Sequence, residues 1–204
     1  MNLIILLVVS TSLLLTVEVV KRKFLLPPNI TRRVSHVGAA LIAAVSPLYL
    51  DKNLIVFACL GFAGVMLISR KFSIFSSIHH IRRKTFGEVF LPLGEAASAV
   101  IFLPQAISAF QYGVLVMGLS DAFAGFVGER YGRHQINIFN NRKSLEGSLV
   151  FLLTTMLLTF LFAPNLGPHL ILIPLALTIT ELILGYGMDN LAIPILAAFL
   201  FTFR

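Results

Sequence analysis

The sequence predicts an all-α integral membrane protein, a polytopic bundle of seven or eight transmembrane helices that forms a single domain over residues 1–204. Two observations support this fold class. The chain is 57% hydrophobic and only 12% charged, with a mean hydropathy of +0.92, which leaves no segment polar enough for a separate soluble domain. The apolar residues also fall into runs long enough to cross a bilayer as helices, whose backbone hydrogen bonds are satisfied internally.

Seven apolar runs are predicted to span the membrane, and an eighth is short for a span. These runs cover residues 3–20, 33–50, 54–69, 87–103, 107–128, 145–162 and 169–187, with the short one at 191–203. The first run follows Met1 and Asn2 directly, has positive charges after it and lacks a small-residue cleavage pattern. We therefore expect an uncleaved first span with its N-terminus outside.

Basic residues mark one side of the predicted bundle. Of the 16 Lys and Arg residues, all but Lys52 and Arg204 fall in three alternate connections, at residues 21–33, 70–84 and 130–143. This alternation places those connections in the cytosol and explains the net charge of +7 without a nucleic-acid partner. The single cysteine, Cys59, excludes an intrachain disulfide and a cysteine-based zinc site.

The second basic connection has a pattern of its own. Ile74, Phe75, Ile78 and Ile81 recur at helical spacing, with basic residues around the rest of the helix. This pattern predicts an interfacial amphipathic helix at residues 71–84, lying on the cytosolic leaflet.

Acidic residues inside predicted spans indicate a functional site. Glu88 and Glu95 are seven residues apart, so they share one helix face at a separation of about 10 Å. A charged side chain at the centre of a bilayer costs roughly 2.5 to 3.5 kcal/mol, so both acids must face protein, water or a ligand. Structural hydrogen bonding and participation in a site both satisfy this requirement.

Residues 118–148 carry the densest set of candidate site residues. Asp121, Gly125 and Glu129 share one helix face, and the glycine leaves room for a ligand. A polar cytosolic loop at residues 129–146 follows, and Ser144 is suited to cap the next helix. Carboxylates, basic side chains and a helix N-terminus in one place are typical of a polyphosphate site with a divalent cation.

A second basic cluster begins the second predicted span. Arg32 and Arg33 lie at its cytosolic entrance, and His36 follows about one helical turn later. There they could bind phosphate, or His36 could take a proton from an alcohol. The alternative is a basic anchor that only reaches the lipid headgroups.

Four separated motifs resemble one enzyme family. They are Ser-Asp-Ala-Phe-Ala-Gly-x-x-Gly-x-x-x-Gly-Arg-His from Ser120 with Arg-Lys-Ser-Leu-Glu-Gly-Ser from Arg142, Arg-x-x-His from Arg33, Arg-Lys-Thr-Phe-Gly-Glu-x-x-x-Pro-Leu-Gly from Arg83, and Glu181 followed by Asp-Asn-Leu-x-x-Pro from Asp189. Together they resemble the CTP-dependent polyprenol kinase family, which includes phytol kinase, dolichol kinase and fungal CTP-dependent diacylglycerol kinase. The likeness to CDP-diacylglycerol synthase is more distant.

The resemblance implies a role for each matching residue. The catalytic group would be Asp121, Glu146, His36 and Glu88. Nucleotide-binding residues would be Gly125, Gly128, Arg130, Arg133, His134, Arg142, Lys143, Ser144, Gly147, Ser148, Arg33 and Asn190. Mg²⁺ would be held by Asp121, Glu146 and Asp189, and the lipid-substrate pocket would contain Glu95 and Glu181. CTP as phosphoryl donor is implied by the resemblance alone.

The predicted activity is Mg²⁺-dependent transfer of the γ-phosphoryl of CTP to the hydroxyl of an isoprenoid alcohol, at the cytosolic face of a bacterial- or archaeal-type plasma membrane. No GxxxxGK[ST] motif is present, so a P-loop is excluded. Three alternatives stay open: a CTP-dependent diacylglycerol kinase, a phosphatidate cytidylyltransferase and a small non-enzymatic transporter. The sequence is compatible with a homodimer but does not require one.

Overall fold

A computed structural model describes residues 3–72, 74–75, 85–138 and 141–203. In these ranges the chain forms eight helices and one two-stranded antiparallel sheet. The helices are α1 (Leu3–Phe24), α2 (Pro28–Val45), α3 (Lys52–Phe72), α4 (Gly87–Phe102), α5 (Ile107–Tyr131), α6 (Leu145–Phe162), α7 (His169–Ile183) and α8 (Met188–Thr202). The strands are β1 (Gln135–Ile138) and β2 (Asn141–Ser144).

Four of the helices, α1, α3, α5 and α6, are long and apolar enough to cross a membrane, and α7 and α8 are shorter apolar helices. The prediction of a helical membrane protein is therefore confirmed. The number of spans and the outside position of the N-terminus stay predictions.

The observed helices follow the predicted runs closely, apart from α2. This helix begins at Pro28, five residues before the predicted start, because proline is favourable in the first helical turn. It ends at Val45, where Ser46–Leu48 form a 3₁₀ turn around Pro47. Pro47 has no backbone N–H to donate to the carbonyl oxygen four residues earlier, which accounts for the early end.

Helix α5 contains a π-helical turn at Val116–Ser120, between α-helical segments Ile107–Leu115 and Asp121–Tyr131. Such turns are rare in proteins, and those that occur often lie at functional sites. Asp121 is the first residue after the turn, and the buried hydroxyl of Ser120 accepts a hydrogen bond from Thr155 of α6. The irregular turn therefore lies directly before Asp121, and the Ser120 hydrogen bond ties it to α6.

Although α8 is short, it lies at the centre of the bundle, where it packs against α4, α5 and α7. The approach to α5 is close, because a Cβ on Gly113 would stand 2.3 Å from the carbonyl oxygen of Pro194. Tyr112 and Phe201 stack at a centroid distance of 4.6 Å, and the Tyr112 hydroxyl is hydrogen-bonded to Thr159. Helix α1 lies at the periphery and packs mainly against α2.

The polar connection at residues 129–146 differs from the predicted loop. It begins inside α5, which continues to Tyr131, and then forms the β1–β2 hairpin, in which Ile136 pairs with Lys143. The alternation of Gln135, Ile136, Asn137 and Ile138 is the strand signal in the sequence. The amphipathic helix predicted at residues 71–84 lies largely outside the described residues; Lys71 and Phe72 belong to the end of α3.

Candidate functional site

A polar cavity of about 570 Å³ lies at one end of the bundle. It is enclosed by the start of α2, the end of α5, the hairpin, the start of α6, the end of α7 and the start of α8. Among the described residues its charged lining has four cations and four carboxylates: Arg32, Arg33, Arg142, Lys143, Asp121, Glu129, Glu181 and Asp189. The cavity thus collects both of the residue types that a metal–polyphosphate complex requires.

Lys143 is the best-connected cation of this cavity. Its Nζ donates to the Glu181 carboxylate and to the Glu181 carbonyl, and it lies 3.4 Å from Asp189 Oδ2. Burial lowers the pKa of Lys143, but the nearby carboxylates of Glu181 and Asp189 raise it by more, so its pKa lies above the usual 10.5. Lys143 therefore stays charged and joins β2 to α7 and α8.

Asp121 differs from the other acids of the cavity. None of the hydrogen bonds or ion pairs among the described residues uses its carboxylate, although it is close enough to Lys143 and Asp189 for electrostatic interaction. Asp121 and Asp189 repel each other across the cavity. A cation between the two carboxylates would remove this repulsion.

The donor set fits a cation that arrives with its substrate. Within the described ranges, no three His, Cys, Asp or Glu side chains are grouped as a metal site. Mg²⁺ commonly takes one or two carboxylates and completes its octahedron with substrate phosphates and water. Asp121 and Asp189 meet that requirement, so these residues fit Mg²⁺ bound as a nucleotide complex.

Arg33 is held over Gly125 by a carboxylate. Its Nη2 lies 2.6 Å from Glu129 Oε1, and the amide of Asn29 donates to Glu129 Oε2 at 2.6 Å. A Cβ on Gly125 would stand 2.3 Å from Arg33 Nη1. The space that the glycine leaves is therefore filled by the Arg33 guanidinium, which is itself part of the cavity wall.

The structure places Glu146 away from Asp121. Its carboxylate accepts hydrogen bonds from the His134 backbone N–H at 3.2 Å and lies 2.8 Å from His134 Nδ1. Glu146, His134, Arg130 and Arg133 are not in the described lining of the polar cavity. Glu146 and His134 are bonded to each other at the base of the hairpin, and the predicted roles of all four residues in metal and nucleotide binding stay predictions.

Ser144 caps α6 as predicted, because its Oγ accepts a hydrogen bond from the Gly147 N–H at 3.1 Å. The adjacent glycines allow α5 and α6 to approach closely. A Cβ on Gly128 would stand 2.8 Å from Ser144 Oγ, and one on Gly147 would stand 2.9 Å from the Ala124 carbonyl oxygen. Ser144, Gly147 and Ser148, at the N-terminal end of α6, line the polar cavity.

Asn190 joins the starts of two helices at the cavity. Its side-chain amide donates to the Gly87 carbonyl oxygen at 2.7 Å, and its backbone N–H donates to Asp189 Oδ1 at 3.0 Å. Gly187, three residues before Asn190, has a left-handed backbone conformation with φ of 90°. A Cβ on Gly187 would stand 2.5 Å from the backbone nitrogen of Gly87. Asn190 thus fixes the direction of Asp189.

A second, apolar cavity of about 110 Å³ lies between α1, α2, α3 and α4. Arg32, Ser35, His36 and Glu88 line it together with Glu95, and the rest of its lining is mostly apolar. Glu88 is paired with Arg70 and Arg32, whereas Glu95 Oε2 lies 4.0 Å from Cys59 Sγ. Glu95 lines this apolar cavity and Glu181 lines the polar one, so the two acids assigned to the lipid-substrate pocket lie in different cavities; their role in lipid binding stays a prediction.

The two cavities share part of their walls. Arg32 and His36 line both of them, and His36 is 7% exposed with its Nε2 lacking a hydrogen-bond partner among the described residues. Three residues near these cavities were not singled out from the sequence: Ser35 lines the apolar cavity, Asn29 lines the polar one, and Arg70 pairs with Glu88. Ser35 could have been noticed as a polar residue beside His36 inside a predicted span, whereas Asn29 and Arg70 had no comparable signal.

Comparison with known proteins identifies one informative relative. A phytol kinase from Synechocystis sp. is 30% identical over 197 residues, which cover 90% of this chain and 83% of the relative. No family model matches the sequence, and no solved structure matches it. At this identity and coverage, the chain belongs to the polyprenol/phytol kinase family.

Proposed function

We propose that this chain is a lipid-alcohol kinase that transfers the γ-phosphoryl of CTP to the hydroxyl of an isoprenoid alcohol of the phytol, polyprenol or dolichol type. The similarity to a phytol kinase supports a prenyl-alcohol kinase. CTP as the donor is supported by the motif resemblance. The two cavities supply one compartment for each substrate.

The shared wall at His36 is the observation that carries the proposal. A nucleotide in the polar cavity and a lipid in the apolar cavity meet only where the cavities adjoin, at Arg32 and His36. Phosphoryl transfer needs such alignment, together with charge neutralisation and a base near the hydroxyl. We assign the role of that base to His36, and the neutralisation of the transferred group to Arg32.

In the proposed reaction the oxygen of the alcohol attacks the γ-phosphorus. The bond from that phosphorus to the β–γ bridging oxygen breaks, and its electron pair leaves with CDP. The hydroxyl proton passes to His36. Lys143, Arg33 and Arg142, which line the polar cavity, would bind phosphate oxygens through charge-assisted hydrogen bonds.

Asp121 and Asp189 would hold Mg²⁺ with the nucleotide. The ion, when bound, neutralises the phosphate charge that develops during transfer. The Asp189 carboxylate is held by hydrogen bonds from Lys143 and from the backbone N–H of Asn190. Asp121 follows directly after the π-helical turn of α5.

Labelled CTP offered with a panel of lipid alcohols tests the proposal. Purified protein and Mg²⁺ should convert phytol, farnesol, geranylgeraniol or dolichol to the monophosphate and release CDP. Label transfer to diacylglycerol alone would assign the diacylglycerol kinase activity. Pyrophosphate release with phosphatidate would assign cytidylyl transfer, and failure to bind any nucleotide would favour a transporter.

A further inference from the structure

Five buried side-chain atoms have no hydrogen-bond partner within the described part of the chain, and all five belong to residues that line the two cavities. They are Ser35 Oγ, His36 Nε2, Glu95 Oε1, Ser148 Oγ and Glu181 Oε2. Buried polar atoms in folded proteins are nearly always hydrogen-bonded, so each of these atoms is available to a ligand or to water. Two of them, on Ser35 and His36, are adjacent in sequence and face the apolar cavity.

The Ser35 hydroxyl is unusual for a serine in a helix. Such hydroxyls commonly return to a carbonyl oxygen three or four residues earlier, as Ser46 Oγ does to Ala43 at 2.8 Å and Thr178 Oγ1 does to Pro174 at 2.8 Å. Ser35 is 6% exposed and makes no such bond within the described residues. Its hydroxyl is therefore available to form a hydrogen bond with a ligand in the apolar cavity.

We propose that Ser35 and His36 together form the binding site for the acceptor hydroxyl, and that Ser35 is a catalytic residue that contacts the substrate. This inference rests on the proposed lipid-alcohol kinase activity. A hydroxyl has one hydrogen to donate and two lone pairs. Its hydrogen goes to His36 Nε2, one lone pair accepts from Ser35 Oγ–H, and the other lone pair attacks the γ-phosphorus. Every hydrogen-bonding element of the alcohol is then used.

The same pair of atoms restricts the class of acceptor. An ammonium group would bring a positive charge beside Arg32, which lines the same end of the cavity. A long chain would instead lie along Leu13, Phe62 and Leu91, which offer it apolar contact. The site thus fits a lipid whose primary hydroxyl stands at one end of an apolar chain. Phosphatidate, whose anionic headgroup Arg32 could attract, is the competing class.

Ser35→Ala and Ser35→Thr test the role of the hydroxyl in turnover. Loss of one hydrogen bond to the acceptor should lower kcat/KM for the lipid alcohol about tenfold in Ser35→Ala, with nucleotide binding unchanged. Ser35→Thr keeps a hydroxyl and should recover most of the activity. Ser98→Ala is the matched control, because Ser98 is a fully buried helical serine outside both cavities.

Cys59 provides a binding assay that does not need turnover. It is the only cysteine in the sequence, and it lines the apolar cavity. A bound lipid alcohol should slow alkylation of Cys59 by N-ethylmaleimide, and Ser35→Ala should need about ten times more alcohol for equal protection. Phosphatidate should protect less well than the alcohol and without dependence on Ser35.

The two assays separate the inference from the proposed function. If the wild-type protein phosphorylates no alcohol but alcohols still protect Cys59 in a Ser35-dependent way, the kinase proposal fails and the hydroxyl site stands. If Ser35→Ala behaves as Ser98→Ala in both assays, or loses nucleotide binding as well, Ser35 does not bind the acceptor. Absence of protection by every alcohol overturns the inference in the same way.

Discussion

Arg33 Nη2 and Glu129 Oε1 are 2.6 Å apart, and this ion pair joins the start of α2 to the end of α5 across the polar cavity. The guanidinium lies directly over Gly125, in the place that a side chain at that position would occupy. The arginine that we propose as a phosphate ligand is thereby held in one orientation before any nucleotide arrives. Such preorganisation reduces the entropy that binding would otherwise cost.

Gly125→Ala should weaken nucleotide binding without unfolding the protein. The new Cβ would displace the far end of a flexible side chain, Arg33, and would leave the backbone in place. We expect a loss of about tenfold in affinity, equivalent to one charge-assisted hydrogen bond. Binding of labelled CTP and the Tm in detergent measure the two effects. Gly64→Ala is the control, because nothing lies within 4 Å of its Cβ position; equal affinity in both variants would contradict the role of Arg33.

Asp121→Asn and Glu146→Gln should differ sharply in activity. Asn keeps the volume of Asp121 but removes the charge that a divalent cation needs, so kcat/KM should fall by about 10² to 10³-fold. Glu146 is bonded to His134, and its substitution should loosen the hairpin with a smaller loss of activity.

Initial rates over a range of Mg²⁺ concentrations distinguish the two roles. A higher Mg²⁺ requirement in Glu146→Gln as well would support the role of metal ligand that the sequence resemblance implies for Glu146. Near-normal turnover of Asp121→Asn at ordinary Mg²⁺ would remove Asp121 from that role.

Helix positions and the acids inside them could be predicted because they depend on local pattern. The apolar runs predicted the helices to within a few residues, and the cost of an acid in lipid predicted that Glu88 and Glu95 face the interior. The partners of those acids depend on how the helices pack, and sequence spacing does not contain this information. Arg70 reaches Glu88 from α3, and Lys143 reaches Glu181 from a hairpin that was expected to be a loop.

Residues 118–148 show the same limit of prediction from sequence spacing. Asp121 and Glu146 both belong to it, and their nearness in the motif implied a shared metal. The π-helical turn lies directly before Asp121, whose carboxylate interacts electrostatically with Asp189, and the hairpin brings His134 to Glu146; the shared metal stays a prediction. Neither device leaves a strong signal in a single sequence, because π-helical turns have no residue code and the hairpin strands are only four residues long.

Glu88→Leu and Glu95→Leu should have opposite effects on stability. Glu88 neutralises Arg70 and the largely buried Arg32, so its removal should cost about 1 to 3 kcal/mol. Glu95 has no cation partner among the described residues, and leucine in its place relieves an unsatisfied buried acid. We expect an unchanged or higher Tm in detergent for Glu95→Leu. A clear fall would show that Glu95 is bonded through water or lipid in the native protein.

The orientation of the bundle determines whether the polar cavity can receive a cytosolic nucleotide. Lys23 lies in the last turn of α1 and Asn137 in the hairpin beside the cavity. Asn53 lies in the first turn of α3 and Asn165 in the connection between α6 and α7, at the other end of the bundle; all four side chains are exposed. The distribution of basic residues predicts that the first two face the cytosol. In a Cys59→Ala background, single cysteines at Asn53 and Asn165 of intact cells should react with an impermeant maleimide. Cysteines at Lys23 and Asn137 should react only after the cells are opened. Labelling of Asn137→Cys from outside would place the cavity on the wrong face for CTP, and the kinase proposal would fail with it.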